Sequence, residues 1–341
     1  MPPSAVSVIE HYASIDDLLG DGRHRFFSQG YKSTNPRLRD LRVVHDSAES
    51  TLTARAGLSM HGLWSVKGGA EQTPHLGTTD VMVLACRMGE ALLASRYSPD
   101  LLPAAHVTSV TISGGSEPVE GALRDLECRA VLQSAPGGGG SVLRCSVASM
   151  TAVAHVAHGT AEPGLASVQA PSEEALVGDS GDRLYGARWA ERDVSLTRVR
   201  MDPECGTARA GLAFRQGASP SPHGERRGLE AAYPDALCAV EYFVATLQLG
   251  QVLLYRLDAM DRADSNTLWM RKTRVTLDGP GSVVAGGPGT DLSVHLRNKR
   301  LVEKDGESWR CADVVGTFDG GEVVCKVAHR LPARQAAEAV R

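Results

Sequence analysis

Two acidic residues occupy matching places in two long apolar stretches of the sequence. Asp80 lies nine residues before Gly89, and Glu241 lies nine residues before Gly250. A carboxylate held in apolar surroundings can act as a general acid or base. The alternative for Asp80 is a first-turn acid that stabilises a helix N-terminus, and for Glu241 it is a solvated helix face. These two residues are the first candidates for catalysis.

A histidine precedes only one of the two stretches. His75 lies five residues before Asp80, whereas Ala236 stands at the equivalent place before Glu241. Imidazole titrates near neutral pH and is a frequent general base. We therefore expect one asymmetric site, with a backbone-bonded loop histidine as the alternative. His61 is a candidate substrate-binding residue, and its alternative is an ordinary polar residue at a strand end.

Two further features carry charge that a substrate can use. Asp235 follows Pro234 in "YPDAL" and is either a catalytic acid or the N-cap of a helix that begins there. Arg271 belongs to a basic cluster with Arg262 and Lys272. Such a cluster can bind a phosphate or a phosphopantetheine arm, or it can be solvated charge on a strand edge.

The elements that must position these residues come in two copies. Five segments recur in the same order, and the offset between partners never decreases along the chain, as expected if small insertions separate the copies. The matched pairs are "TARAGL" at Thr53–Leu58 and Thr207–Leu212, "MGEALL" at Met88–Leu93 with "LGQVLL" at Leu249–Leu254, "VTISGG" at Val110–Gly115 with "VTLDGP" at Val275–Pro280, Asp125-Leu126 with Asp291-Leu292, and Arg144-Cys145 with Arg310-Cys311. The chain is therefore predicted to hold two repeats of roughly 160 residues.

Each repeat is predicted to contain one long helix among alternating strands. The helices are expected at 78–97 and 235–257, and both are apolar around most of their circumference, which indicates burial. Arg87 and Glu90 are spaced three residues apart on the first helix and are expected to pair with each other. Alternating apolar and polar residues in the remaining segments favour β-strands.

One buried helix wrapped by an antiparallel sheet is the hot-dog arrangement. The predicted fold class is therefore α+β, a double hot-dog made of two tandem repeats. The expected organisation is an N-terminal repeat at 1–160, a linker or crossover at 161–182, and a C-terminal repeat at 183–341. Two separate α+β domains on a linker are the alternative.

Composition narrows the class of partner. The 341 residues carry a net charge of -4, which gives no electrostatic reason to expect nucleic acid or an anionic membrane. No apolar run reaches the ~18 residues that span a bilayer, and the N-terminal sequence lacks the pattern of a signal peptide. The seven cysteines form no C-x-x-C pair, so we expect reduced thiols, a cytoplasmic location, and no metal or cofactor.

Three segments resemble one family over nearly the whole chain. They are "RFFSQGY" at Arg25–Tyr31, "PHLGTTDVMVLACRMGEALL" at Pro74–Leu93, and "QLGQVLLYRLDAMDR" with "LWMRK" within 248–272. They look like the avirulence protein D (AvrD) family, which is associated with making syringolide-type acyl-sugar elicitors. The architecture is also similar to that of the A-factor synthase family, another double hot-dog.

The resemblance implies chemistry on a β-ketoacyl thioester carried by an acyl carrier protein or CoA. The acyl group would pass to a hydroxyl of a small sugar or polyol, with possible condensation to a lactone or butenolide. His75 with Asp80 or Glu241 would remove the proton, and a helix N-terminus would hold the oxyanion. The alternatives are a hot-dog thioesterase or dehydratase, or an acyl-ligand-binding module without turnover, and a homodimer is possible.

The dehydratase alternative has one point for it and one against it. Asp235 is similar in place to the second-half aspartate of double hot-dog dehydratases. However, "HLGTTDVMVL", which contains His75, lacks the spaced glycine and proline that follow the histidine in those enzymes. The sequence therefore disfavours simple dehydration.

Overall fold

The structure, a computed structural model, describes residues 9–164, 166–217, 226–280 and 289–332. Residues 1–8, part of the N-terminal sequence that lacks the signal-peptide pattern, lie outside these ranges. The described residues form a 14-stranded antiparallel sheet, a separate two-stranded sheet, two long helices, two four-residue helices and several short 3-10 turns. Among them, no helix is long and apolar enough to cross a membrane.

The elements follow one another in a repeated order. The first ten strands are β1 (Glu10–Ser14), β2 (Thr34–His45), β3 (Glu49–Met60), β4 (Val66–Lys67), β5 (Ala70–Glu71), β6 (His106–Ser113), β7 (Leu126–Ser134), β8 (Gly140–Val147), β9 (Met150–Ala157) and β10 (Val168–Ser172). The last six strands are β11 (Arg192–Asp202), β12 (Thr207–Gln216), β13 (Trp269–Leu277), β14 (Thr290–Lys304), β15 (Glu307–Phe318) and β16 (Gly321–Arg330). The helices are α1 (Asp16–Leu19), α2 (Thr78–Arg96), α3 (Glu174–Val177) and α4 (Ala239–Leu257).

The sheet has a palindromic strand order. Its 14 strands run β1-β11-β12-β14-β15-β16-β13-β6-β9-β8-β7-β3-β2-β10, so equivalent strands of the two copies lie at equal distances from its centre. At the centre, β13 pairs with β6 and Val275 lies opposite Val110. These two valines are the residues that the sequence comparison matched. A local twofold axis between them relates the two halves of the sheet.

Each half contributes its first strand to the other half. β1 pairs with β11, and β10 pairs with β2. The segment 161–182, predicted as a linker or crossover, contains β10 and the helical turn α3. These elements match β1 and α1 in order and length, so that Val168 is the counterpart of Glu10. The exchange ties the halves together and covers the outer strands of both.

The two copies share a β-bulge, and this bulge shows that the repeated "TARAGL" is shifted. Register changes between Arg39 and Arg42 in one copy and, at the equivalent place, between Thr197 and Arg200 in the other. Asp40 and Arg198 within these bulges both have positive φ angles, 55° and 53°. Arg42 lies opposite Thr53, but its counterpart Arg200 lies opposite Arg209 rather than Thr207. The two copies of the motif are therefore two residues out of step, which keeps the same side chains facing the core.

Both long helices are 19 residues long and almost wholly buried. The second helix begins at Ala239, so its predicted start at Asp235 is wrong. Cys238, in an extended conformation (φ -96°, ψ 172°), is its N-cap. The residues before it form a turn in which the Ala236 N–H donates to the Tyr233 carbonyl over 3.1 Å. A proline followed by a turn delays the helix here.

Candidate active site

A cleft of about 110 Å³ opens where the two halves meet. The first half contributes the N-terminus of α2, the segments before it and the segment after β6, and the second half contributes Gln251 of α4 and the start of β13. Much of the wall is apolar. Trp64 contacts Phe26 with ring centroids 4.5 Å apart, and Leu268 and Trp269 approach from the second half. The combination of apolar walls with a few polar groups is typical of a small-molecule site.

His75 lies in the wall of this cleft, two residues before the N-cap of α2. Its Nδ1 lies 3.2 Å from the Thr73 carbonyl oxygen, and its ring packs edge-on against Trp64 with centroids 5.3 Å apart. A carbonyl can only accept, so Nδ1 carries the proton and Nε2 keeps its lone pair. Burial lowers the pKa of His75 below its ordinary value. The neutral imidazole is therefore a base at neutral pH.

Asp80 caps the helix rather than lining the cleft. It is 1% exposed, and its Oδ2 accepts the N–H of Gly77 over 2.8 Å. The Thr34 hydroxyl donates to Oδ1 over 2.5 Å. Burial raises the pKa of Asp80 to about 6, against the smaller opposing effect of these two bonds.

Glu241 makes the equivalent cap on α4. Its Oε2 accepts the N–H of Cys238 over 2.7 Å. The guanidinium of Arg192 lies against the other oxygen, with Nε and Oε1 2.8 Å apart in an ion pair that lacks hydrogen-bond alignment. Glu241 is the third residue of its helix, because the helix begins at Ala239 and not at Asp235. The two matched acids thus share a capping role, and neither lines the cleft.

The other sequence candidates are dispersed. Arg271 lines the mouth of the cleft and is exposed, and its carbonyl accepts the N–H of Gly114 over 3.1 Å. His61 is exposed outside the cleft, with its Nε2 2.9 Å from the Ser59 hydroxyl. Asp235 is exposed in the turn before α4 and does not cap it. Of the six candidates, His75 and Arg271 share the cleft.

Arg87 and Glu90 do not pair with each other, contrary to the expectation from their spacing. Arg87 forms a buried ion pair with Glu173, and Arg183 donates to Glu90 over 2.5 Å. Arg183 Nη2 also lies 3.3 Å from Glu173. All four side chains are at most 2% exposed. Two cations and two anions thus balance each other where α2 meets the segment after β10.

The sequence reasoning missed several polar residues of the cleft, among them Arg25 and Gln251. Both lie in segments that it used, "RFFSQGY" and "LGQVLL". Their signal was a comparison between copies. Gly20-Asp21 precedes Arg25 as Gly178-Asp179 precedes Arg183, and Gln251 stands where the first copy has Glu90.

The fold and cleft define an α+β protein of two related halves with a candidate small-molecule site between them. The family model described as Pseudomonas avirulence D protein (AvrD) matches residues 10–332. The chain belongs to the AvrD family, and the resemblance predicted from its sequence is confirmed. No curated protein sequence matches the chain.

Solved structures similar to the chain include three hot-dog or dehydratase proteins. A conserved protein of unknown function with a hot-dog fold from Alicyclobacillus acidocaldarius shares 10% identity, with 85% of this chain and 96% of that chain covered and a TM-score of 0.38. The dehydratase domain from the CurF module of curacin polyketide synthase shares 10% identity, with 85% and 97% covered and a TM-score of 0.37. The dehydratase domain of PpsC from Mycobacterium tuberculosis, in complex with C12:1-CoA, shares 14% identity, with 86% and 97% covered and a TM-score of 0.38. These likenesses are distant and concern the fold only.

Proposed function

We propose that the chain is a biosynthetic enzyme that binds a β-ketoacyl thioester in the cleft and transfers the acyl group to a hydroxyl of a small polyol or sugar. The observation that carries this proposal is the tautomer of His75. Its Nδ1 is held by a backbone carbonyl, and its Nε2 is left as a base in a largely apolar cleft. A base within a largely apolar cleft favours acyl transfer to a bound hydroxyl.

The reaction follows from these groups. His75 removes the proton of the acceptor hydroxyl, and the oxygen attacks the thioester carbonyl. The N-terminus of α2, where Gly77 and Thr78 line the cleft, has N–H groups without intrahelical partners that can stabilise the oxyanion. The C–S bond then breaks, and the imidazolium returns its proton to the thiolate. If the acceptor is a sugar with a ketone or aldehyde, the same base can then remove a proton from the acidic carbon between the two carbonyls of the ester. The carbanion attacks the sugar carbonyl to close the lactone ring, and loss of the new hydroxyl as water gives the butenolide.

The proposal also assigns the fold and the partners. We propose a double hot-dog, supported by the seven strands on each side of the sheet centre and by one buried 19-residue helix in each half. Exposed Arg271 at the mouth of the cleft would contact the phosphate of a CoA or carrier-protein arm. Asp80 and Glu241 have the positioning role of shaping the two helix N-termini.

The test is a thiol-release assay on the full chain with a β-ketoacyl-CoA, with and without a polyol acceptor. The expected result is thiol release that depends on the acceptor, with an acyl ester detected by mass spectrometry. Release without acceptor would instead identify a thioesterase. Loss of water from a matched β-hydroxyacyl-CoA would identify a dehydratase, and saturable binding without turnover would leave an acyl-ligand-binding module.

A further inference from the structure

The cleft contains the positions equivalent to the buried ion-pair cluster formed by Arg87, Glu90, Glu173 and Arg183. At these equivalent positions the arginine of the pair with Glu90 is kept, but neither acid is. Arg25 corresponds to Arg183, since each lies nine residues before the start of an equivalent strand, β2 or β11. On the helices, α2 begins at Thr78 and α4 at Ala239. The helix positions occupied by Arg87 and Glu90 in α2 are therefore Gln248 and Gln251 in α4, and the position of Glu173 is Ile15.

In the buried ion-pair cluster, the charge of Arg183 is neutralised by carboxylates of the protein itself. Arg183 contacts two buried carboxylates, Glu90 and Glu173, and of its three guanidinium nitrogens only Nε lacks a partner. The second oxygen of Glu90 accepts the N–H of Leu229 over 2.9 Å. A Cβ atom at Gly228 would lie 2.4 Å from Glu90 Oε1, so the backbone closes over this pair.

The arginine of the cleft pairs with one exposed carboxylate instead of two buried ones. Arg25 is only 3% exposed, and its Nε and Nη1 have no partner among the described residues. Its Nη2 pairs with Asp16, whose side chain is 55% exposed. Gln251, which is 7% exposed and lines the same cleft, offers an amide where the other copy has a carboxylate. A buried guanidinium with two free donor nitrogens favours an incoming anion.

Other charges of the cleft act in the same direction. Arg262 and Lys67 both line it and are partly exposed. The Arg262 guanidinium donates to the His24 carbonyl over 2.8 Å, and Lys67 Nζ donates to the Asn266 carbonyl over 2.5 Å, so both are positioned without being neutralised by these bonds. Burial, with a smaller effect of Arg262, lowers the pKa of Lys67 to about 8. Glu117, an acidic residue in the lining, is exposed.

We propose that Arg25 and Gln251, with Lys67 and Arg262 at the rim, form an oxyanion-binding subsite for a phosphate or carboxylate group of the substrate. The assignment of that group to the hydroxylated acceptor rests on the proposed function. The acceptor is then a polyol that carries an oxyanion, and Arg25 orients its free hydroxyl toward His75. The subsite lies where one copy has Gln251 and Ile15 in place of the two acids that neutralise the arginine in the other copy.

The experiment measures equilibrium binding to the full chain by calorimetry, with no thioester present. The probes are inorganic phosphate, glycerol 3-phosphate, glycerate, glycerol and pantetheine 4′-phosphate. We expect saturable 1:1 binding of at least one of the two anionic polyols and none of glycerol. Tighter glycerol 3-phosphate assigns a phosphate monoester, tighter glycerate assigns a carboxylate, and pantetheine 4′-phosphate as the only ligand would overturn the assignment to the acceptor.

The decisive variant is Gln251→Glu, which restores the acid of the other copy. Its new carboxylate should occupy Arg25 from within, so oxyanion affinity should fall at least tenfold while thermal stability is kept or raised. The matched control is Gln169→Glu, which adds the same charge on the exposed strand β10 and should bind like the wild type. Arg25→Gln removes the cation itself and is the second variant, expected to lose binding in the same way.

The proposal is overturned if the wild type binds no oxyanion probe, or if Gln251→Glu and Arg25→Gln both bind as the wild type does. Its failure is distinguishable from that of the proposed function. Oxyanion binding without acyl transfer would support the subsite and contradict the proposed transferase activity. Transfer to glycerol with no oxyanion binding would do the reverse.

Discussion

Thr34 and Arg192 open equivalent strands, and each contacts the second carboxylate oxygen of the acid that caps a buried helix. Thr34 donates a hydroxyl to Asp80, and Arg192 places a cation beside Glu241. The backbone geometry of the two caps is the same, with one carboxylate oxygen on the N-cap N–H. The electrostatics differ, because among the described residues Glu241 has a buried countercharge and Asp80 has none. Two carboxylates that match in sequence therefore have different chemistry.

The first prediction concerns the titration of Asp80. Its pKa is raised by burial from 3.8 to about 6, so the folded state holds a proton that the unfolded state has released between these values. Stability contributed by this group is present below about pH 4 and is lost as pH rises to about 6, by up to about 3 kcal/mol. Asp80→Asn keeps the shape and lacks this dependence. Urea unfolding of both proteins from pH 4 to 7 measures the difference, and parallel stability curves would contradict the prediction.

The second prediction concerns Glu241. Glu241→Gln leaves the buried guanidinium of Arg192 without its countercharge, so we expect a loss of about 3–5 kcal/mol in the free energy of unfolding. Asp80→Asn, measured at pH 7, should cost much less because no partner is orphaned. Removing both charges with Arg192→Met in the Glu241→Gln background should restore part of the stability. Equal losses at Asp80 and Glu241 would show that the ion pair is not the cause.

The third prediction uses a pair of equivalent glycines on the two helices. A Cβ atom at Gly250 would lie 2.4 Å from Val314 Cγ1, whereas one at Gly89 would lie 3.4 Å from Leu143 Cδ2. Gly250→Ala should therefore destabilise by about 1–3 kcal/mol through overpacking. Gly89→Ala should be neutral or stabilising by up to about 1 kcal/mol, because alanine favours the helix. Chemical unfolding of the two variants decides, and the same sign in both would refute this reading of the packing.

The sequence predicted the elements better than it predicted the site. The shared pattern of "MGEALL" and "LGQVLL" predicts the two helix cores, and the sequence match of Val110 with Val275 agrees with their pairing at the centre of the sheet. The helix start near Asp235 was misplaced, since a turn and its proline look like a cap in sequence. Aligning the two "TARAGL" segments places the strands of the two copies two residues out of step. Side chains in a strand alternate with a period of two, so a two-residue shift leaves the apolar pattern unchanged and the sequence does not reveal the error.

Arg25 could not be placed from sequence, because its position depends on the exchange of first strands between halves. That exchange places the segment after β1 beside the helix of the second copy, where Gln251 lies. Local sequence patterns do not predict such an exchange. The substitution of Glu90 by Gln251 was readable in the aligned copies. That this difference leaves an arginine without a buried carboxylate follows only from the structure, which shows the ion pair between Glu90 and Arg183. Burial also decided the capping roles of Asp80 and Glu241.

The fourth prediction concerns His75 as the base. His75→Gln keeps a side chain in the cleft and removes the imidazole, so acyl transfer should fall by roughly 10²–10⁴-fold with little change in unfolding. Because burial lowers the pKa of His75, kcat/KM of the wild type should stay level to below pH 6.5 and decline at lower pH as the ring is protonated. This acidic limb should vanish in His75→Gln. The matched control is His61→Gln, which changes an exposed histidine outside the cleft and should keep both rate and pH profile. If His75→Gln retains activity within about twofold of His61→Gln, the base is another group and the proposed mechanism is wrong.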